Sequence, residues 1–317
     1  MGFDFTQSLV LDWEGPKSIF VKNINTTRKQ YLLIVFALVL TATSYGQEFV
    51  EVSFQPSYSA HTYFTIDDND EDTYQNGDWD IAFTAIGGAD AGIHINEAIT
   101  SGGQELEVWL APSSVFDDEI NPIDLYERLY NDEKSWEYGA FNVNELRNPN
   151  NPLDYGWGSY NPSNHTVEGN KVYALKLRNG EWKKFTILNL SGGAFNLQWA
   201  DLDGANMQTA SVNKQDYPGS NLVLFSLENN EVVAGITPFD LLFTRYVSPI
   251  PDGQGDTLDY TVTGVFSGIG IEVAEANGID PETVQFEDYR NDLSTELDII
   301  GQDWKNFNLT TFVWELN

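Results

Sequence analysis

The chain has 317 residues, with 48 Asp or Glu, 16 Lys or Arg, three His, no Cys and a formal net charge of −32. This charge argues against nucleic acid and anionic lipid surfaces as partners, because both are bound through cations. The absence of cysteine excludes disulfide scaffolds, thiolate zinc sites, thiol nucleophiles and iron–sulfur clusters, whereas 41% hydrophobic residues suffice for a sizeable core.

Residues 1–46 are predicted to be an upstream extension followed by a signal peptide. A basic pair at 28–29 precedes an apolar run from Tyr31 to Leu40, and small residues lead to Gly46. This order is typical of a cleaved export signal, and the run is shorter than the roughly 20 residues that cross a bilayer. We expect a secreted or cell-surface protein whose mature chain begins at Gln47 and has no membrane span; a helical anchor is the alternative.

Blocks of the mature chain recur in the same order. Residues 63–68 match 224–229, residues 79–84 match 239–244, residues 92–98 match 270–276, and Trp157 matches Trp304. We interpret this as a duplicated unit, with one copy in residues 47–212 and another in 213–317. The main length difference is a Pro/Gly/Asp-rich loop at 248–257. Chance similarity of amphipathic strands is the alternative.

The blocks predict β-strands, because apolar and polar residues alternate with a period of two. A three-stranded antiparallel meander is predicted from three runs separated by Asn-Gly and Gly-Gly turns, at 171–177, 182–188 and 194–200. Helices are expected only at 122–129 and 281–289.

The second copy is expected to be incomplete. Aligning Trp157 with Trp304 places Asn317 opposite Asn170, just before the meander. A sheet ending there would have an open edge that invites association. We expect a truncated gene product; coverage of the edge by a partner or by the other copy is the alternative.

The segments at 79–83, 91–96 and 239–246 resemble the HmuY-like family of secreted Bacteroidetes proteins. The similarity extends over most of residues 49–317, in two copies. The resemblance implies an all-β, mostly antiparallel fold outside the cytoplasm, and the best-known members of the family bind haem. Related two-copy chains often carry a C-terminal type IX secretion signal, which this sequence lacks.

The histidines are the first candidates for a haem site, because haem iron takes axial His or Met ligands in an apolar pocket. We select His94 and His165 as the candidate pair, with Met207 as an alternative ligand. On a strand, His94 would face away from the apolar side formed by its isoleucine neighbours. Surface or hydrogen-bonded histidines are the other interpretation. Glu272 takes the place of His94 in the second copy, which would lack the site.

A run of acidic residues is the candidate calcium site, because calcium prefers oxygen ligands. Its candidate ligands are Asp67, Asp68, Asn69, Asp70 and Asp72. The run lacks the glycine and the distal glutamate of an EF-hand loop. A solvated acidic turn is the alternative interpretation.

Aromatic residues cluster at Trp136, Tyr138, Tyr155, Trp157 and Tyr160, which is consistent either with sugar stacking or with a core. The sequence contains no nucleophile elbow, zinc-protease helix or phosphate-binding glycine loop, and we expect no enzyme activity. The predicted function is an exported binding protein of HmuY-like type, for haem or another small hydrophobic ligand. The alternative is a calcium-stabilised structural or adhesive module, or one that binds a surface glycan.

Overall fold

A computed structural model describes residues 17–23, 52, 58–87, 90–251, 257–277, 283–302, 305–308 and 313–316. The predicted signal segment and Trp304 lie outside these residues. The fold is all-β, and its sheets are antiparallel, as the sequence predicts.

The strands of the described residues are β1 (Lys17–Asn23), β2 (Ala60–Thr65), β3 (Asp70–Gln75), β4 (Ile81–Thr84), β5 (Ile93–Ile95), β6 (Glu107–Leu110), β7 (Gly158–Asn161), β8 (Thr166–Gly169), β9 (Tyr173–Lys176), β10 (Trp182–Ser191), β11 (Ala194–Asp201), β12 (Gln208–Asn213), β13 (Leu222–Ser226), β14 (Glu231–Ile236), β15 (Leu241–Pro251), β16 (Thr257–Ser267), β17 (Ile271–Asn277), β18 (Lys305–Asn308) and β19 (Val313–Leu316). The helical segments bounded within the described residues are α1 (Phe286–Tyr289) and 3-10 turns at Pro122–Asp124, Asn144–Leu146 and Lys214–Asp216.

The helix predicted at 122–129 is wrong beyond its first turn. The side chain of Asn121 caps that turn, but the backbone of Leu125 is already extended. The backbone N–H of Leu129 then donates a hydrogen bond of 2.8 Å to the carbonyl of Val108 in β6. Pairing with a distant strand therefore overrides the local helical pattern. The helix predicted at 281–289 is reduced to the four residues of α1.

Strands β6 to β12 form a seven-stranded sheet, here called the meander sheet. The predicted meander is confirmed: β10 lies between β9 and β11, with Phe185 opposite both Tyr173 and Trp199. Gly192 and Gly193 turn the chain between β10 and β11 with φ values of 60° and 86°. These positive φ angles favour glycine, which has no Cβ to clash there.

Two four-stranded sheets each combine strands from both parts of the chain. The middle sheet has the order β14-β13-β4-β5, and the outer sheet has the order β16-β15-β2-β3. In the middle sheet Ile81 lies opposite Phe225, and in the outer sheet Leu241 lies opposite Phe64. The first two recurring blocks therefore occupy matching positions in the two sheets; the duplication itself stays a prediction.

Two aspartates also occupy matching positions, one before each central strand. Asp80 Oδ2 accepts a hydrogen bond of 2.8 Å from the backbone N–H of Leu227, and Asp240 Oδ2 accepts one of 2.7 Å from that of Ile66. Each carboxylate thus fastens the turn that follows the neighbouring strand. A buried backbone N–H needs such a partner.

The third recurring block does not occupy a matching position. Strand β5 places His94 opposite Ala82, but the equivalent place beside Leu242 belongs to Phe266 of β16. The block at 270–276 lies in β17, which pairs with β1. The expected replacement of His94 by Glu272 is therefore wrong. Of the predicted loop at 248–257, residues 248–251 and 257 belong to β15 and β16, whereas 252–256 lie outside the described residues; β16 and not β17 pairs with β15.

Three of the hydrophobic cores formed by the described residues lie against the middle and outer sheets. The first core joins the meander sheet to the middle sheet through residues such as Phe83 and Phe195. The second core lies between the middle and outer sheets and includes Leu224 and Leu242. The third core covers the far side of the outer sheet around Phe243. The middle sheet is consequently covered on both faces, and every residue of β4 and β5 is buried.

Candidate functional site

His94 lies in the second core and does not face solvent. As expected, His94 faces away from Ile93 and Ile95, which lie in the first core, but the outer sheet covers this other face of β5 and buries the histidine. Its Nε2–H donates to the carbonyl of Trp136 over 2.9 Å. Burial lowers the pKa of His94 to about 4, although this hydrogen bond opposes the shift. The imidazole is therefore neutral at neutral pH.

His61 shares the same small cavity. Its Nε2 lies 3.0 Å from Asn96 Oδ1, and its Nδ1 lies 2.7 Å from Thr244 Oγ1. Asn96 uses its Nδ2 to donate to two carbonyls, so its oxygen is the acceptor and the His61 proton is on Nε2. Burial lowers the pKa of His61 to about 3. Sequence reasoning did not select His61, because nothing local marks its contact with residues 35 and 183 positions away.

The interior cavity has a volume of about 50 Å³. Its aromatic lining residues are Tyr63, Trp79, Trp136, Tyr246 and Phe266. A cavity of this size has room for roughly three or four waters, whereas ligand pockets usually measure about 300–1,000 Å³. The space around His61 and His94 is therefore too small for a haem.

Glu97 joins the two walls of this cavity. Its carboxylate accepts hydrogen bonds from the backbone N–H groups of Asn131, over 2.6 Å, and of Val247, over 3.0 Å. Burial raises the pKa of Glu97 to about 7, and these two hydrogen bonds oppose the shift. Sequence reasoning also missed this residue, since one glutamate among 48 acidic residues carries no local signal.

A buried ion pair lies beside the cavity. Arg178, at the turn between β9 and β10, contacts Asp80 Oδ1 over 2.7 Å and donates to the carbonyl of Asn96 over 2.8 Å. Both side chains of the pair are less than a tenth exposed. Burial raises the pKa of Asp80, and the Arg178 guanidinium opposes that shift. The pair thus fastens the meander sheet to the middle sheet.

His165 lies far from this interior in the fold, in a surface pocket of about 300 Å³. The pocket is lined by Tyr155, Tyr160, His165, Val167, Leu190, Gly192 and Gly193. It opens beside the β7–β8 hairpin of the meander sheet. No lining residue is shared with the cavity around His94, so the structure does not bring the two candidate histidines together.

Tyr160 and His165 form a close pair across this hairpin. The phenol oxygen of Tyr160 lies 2.6 Å from Nδ1 of His165, and the phenol donates when the histidine proton is on Nε2. Tyr160 is half-buried and His165 is exposed. Leu190 and Val167 form an apolar wall of the same pocket. The sequence analysis assigns these two residues to different candidate sites: His165 is a candidate haem ligand, and Tyr160 belongs to the aromatic cluster.

The backbone of His165 is in the left-handed region, with φ at 57°. Glycine or asparagine adopts this conformation at lower cost than histidine does. The N–H of His165 donates to the carbonyl of Asn161 in this turn, and the N–H groups of Ser163 and Thr166 donate to the side chains of Asn161 and Asn164. None of these bonds uses the imidazole. The imidazole is therefore not required by the turn, and uncommon conformations of this kind cluster at ligand-binding positions.

Met207 lies in neither cavity. It is 63% exposed, and its sulfur accepts a hydrogen bond from the side-chain amide of Gln198, with N and S 3.1 Å apart. Met207 is therefore not placed as an axial partner of His94 or His165 in either of these cavities.

The candidate calcium ligands lie on the exposed turn between β2 and β3 and on the start of β3. Asn69 has a positive φ of 49° in this turn. Within the described ranges, no group of three or more His, Cys, Asp and Glu side chains is placed to hold a metal ion.

The aromatic cluster separates into interior and surface residues. Trp157 is fully buried and donates to the carbonyl of Ala91 over 3.1 Å. Trp136 lines the interior cavity, and Tyr138 packs against the Arg147 guanidinium. Of the five residues, Tyr155 and Tyr160 line the surface pocket.

Comparison with family models, with curated proteins and with solved structures finds no significant match for this chain. The resemblance to the HmuY-like family therefore stays a prediction. Among the described residues, no helix has the length and apolar character needed to cross a membrane.

Proposed function

We propose that this chain is a non-enzymatic binding protein that holds a planar hydrophobic ligand in the pocket of Tyr155, Tyr160 and His165. Haem is the first ligand to test. The single observation that carries the proposal is the Tyr160–His165 hydrogen bond of 2.6 Å at the mouth of a pocket of about 300 Å³.

The chemistry of this pair suits a ferric porphyrin. Tyrosine oxygen is one of the protein ligands of haem iron. To bind iron as a phenolate, Tyr160 must lose its proton, and Nδ1 of His165 lies within hydrogen-bond distance to accept it. The iron ligand proposed is thus Tyr160, with His165 as its proton acceptor, in place of a His94–His165 pair.

The pocket walls support a flat ligand. Leu190 and Val167 are buried apolar residues on one side, and the ring of Tyr155 is half-buried beside them. A volume of about 300 Å³ is at the lower limit of small-molecule sites. A porphyrin would therefore insert one edge and leave the rest of its ring outside.

Titration of the purified chain with ferric haem tests the proposal. We expect a shifted Soret band with the charge-transfer absorbance of a tyrosinate-bound iron. Tyr160→Phe removes the iron ligand and keeps the pocket shape, so it should weaken binding at least about tenfold. Tyr126→Phe is the matched control, because Tyr126 is an exposed tyrosine outside the pocket.

Absence of a Soret shift would overturn the haem assignment. If Tyr160→Phe and His165→Ala both bind haem with the affinity of the native protein, haem binds at a different site. Two tyrosines on one open pocket also favour stacking against a sugar ring. A glycan-array signal that disappears in a Tyr155→Ala/Tyr160→Ala variant, without haem binding, would identify the carbohydrate alternative.

A further inference from the structure

A second pocket adjoins the first at the turn between β10 and β11. It measures about 330 Å³ and is lined by Ala85, Ile86, Gly87, Gly192, Gly193, Lys214 and Gln215. Gly192 and Gly193 line both pockets. The turn is tied to the 3-10 helix at 214–216, because the N–H of Lys214 donates to the carbonyl of Gly193 over 3.1 Å.

The surface over this turn is open. A Cβ added to Gly192 would have no other heavy atom within 4 Å, and Gly192 is exposed. A Cβ added to Gly193 would lie 3.7 Å from Nε2 of Gln215, so a ligand that passes from the first pocket over the two glycines meets the end of that flexible side chain. The second pocket lies on the other side.

Lys214 lines the second pocket, and its ammonium group is largely buried. The residue is 7% exposed, and its Nζ donates to the carbonyls of Gly87, over 2.9 Å, and of Asp90. The ring centroid of Phe195 lies 5.1 Å away. An ammonium has three donors, and the described contacts of Nζ use two of them.

The charge of Lys214 has no direct counter-ion among the described residues, in which the ion pairs all involve other side chains. Removing a cation from water without an opposite charge is costly. Burial accordingly lowers the pKa of Lys214 to about 8, while the charge of Asp90 opposes the shift. The amine still carries its proton in most molecules at pH 7, and an anion in the pocket would complete its coordination.

We infer that the ligand of the Tyr160–His165 pocket carries an anionic group, of the carboxylate class, which Lys214 binds on the far side of the Gly192–Gly193 turn. This inference rests on the proposed function and specifies its ligand class: a planar apolar ring with an acidic side arm. In a chain with a net charge of −32, an anionic ligand would otherwise be repelled, so a cation set beside the ring pocket selects for it.

Two probes that differ at their two carboxyl groups test the inference, namely metal-free protoporphyrin IX and its uncharged dimethyl ester. The affinity of each for the full chain is measured by quenching of protein fluorescence. A hydrogen bond between charged groups favours the acid over the ester by about tenfold or more. We expect this preference in the native protein and its loss in Lys214→Met. Lys134→Met, which removes an exposed lysine of another cleft, should retain it.

The outcomes separate the two proposals. Equal affinity of acid and ester for the native chain overturns the role of Lys214 and leaves the ring pocket standing. A preference for the acid over the ester that persists in a folded Lys214→Met variant also overturns the role of Lys214. Binding of neither probe removes the proposed function together with the inference. The comparison of acid with ester uses the native protein, so it decides the point even where Lys214→Met does not fold.

Discussion

Acidification should destabilise the protein through its interior histidines. Burial lowers the pKa of His61 from 6.5 to about 3 and that of His94 from 6.5 to about 4. Below pH 6.5 the unfolded chain therefore binds two protons that the native chain does not bind. The free energy of unfolding consequently decreases as the pH is lowered. At about 1.4 kcal/mol per pKa unit, the two residues together remove about 6 kcal/mol between pH 7 and pH 4.

Glu97 acts in the opposite direction. Burial raises its pKa from 4.5 to about 7, so the native state takes up a proton before the unfolded chain does. The protonation of Glu97 therefore stabilises the native state by about 3 kcal/mol. This stabilisation is complete below pH 4.5 and is lost as the pH rises through 7. The three groups together predict a net loss of roughly 3 kcal/mol from pH 7 to pH 4.

Urea unfolding at pH 7, 6, 5 and 4, followed by tryptophan fluorescence, measures this loss. The decisive quantity is the difference between the native protein and a His61→Gln/His94→Gln variant, because surface carboxylates titrate equally in both. We expect the pH dependence of the two proteins to diverge by about 6 kcal/mol at pH 4. His165→Gln, at an exposed histidine, should follow the native protein. Parallel curves for native protein and double variant would refute the reasoning.

Three further predictions concern stability. Asp80→Asn should lower the free energy of unfolding by about 3–5 kcal/mol, because it leaves the buried Arg178 charge without its partner. Asp240→Asn should lower it less in the same urea assay, because no described arginine pairs with Asp240. Gly139→Ala should lower the melting temperature by several degrees, since the added Cβ would lie 2.0 Å from the carbonyl oxygen of Ile93, whereas Gly87→Ala has free space around it; equal melting of the two variants would contradict this. Calcium should leave the melting temperature unchanged relative to chelator if the acidic turn is only solvated, and a rise that depends on calcium concentration would restore the predicted site.

The sequence predicts best what neighbouring residues decide. The meander follows from alternating runs and from the Asn179-Gly180 turn, where Gly180 has a φ of 87°. Prolines and glycines predict a loop at 248–257, yet Pro249 pairs with Asp259 within the β15–β16 ladder, so the strands continue into the predicted loop. Turn composition alone does not reveal how far two strands continue before the chain reverses.

The environment of β5 could not be predicted, because it depends on distant segments. The sequence Ile93-His94-Ile95 alternates as a half-exposed strand does, yet the outer sheet covers the polar side. The partners of His61 likewise come from residues 96 and 244. By contrast, Tyr160 and His165 are five residues apart on one hairpin. Their contact could have been predicted from the sequence by pairing the two strands across that short turn.

This difference in contact range also explains why we place ligand binding in the meander sheet. The interior cavity exists only because segments more than a hundred residues apart close around it, and its side chains His61 and Glu97 already bind Thr244 and the backbone N–H of Val247. Opening it to about 300 Å³ would mean separating the second core. The pocket at Tyr160 is built on a hairpin whose strands are held by the β8–β10 pairing, so a ligand can enter it while the cores remain intact. The affinity of that pocket should therefore be the same in native protein and in the folded His61→Gln/His94→Gln variant, and a parallel loss of haem binding and acid sensitivity in that variant would return the site to the interior.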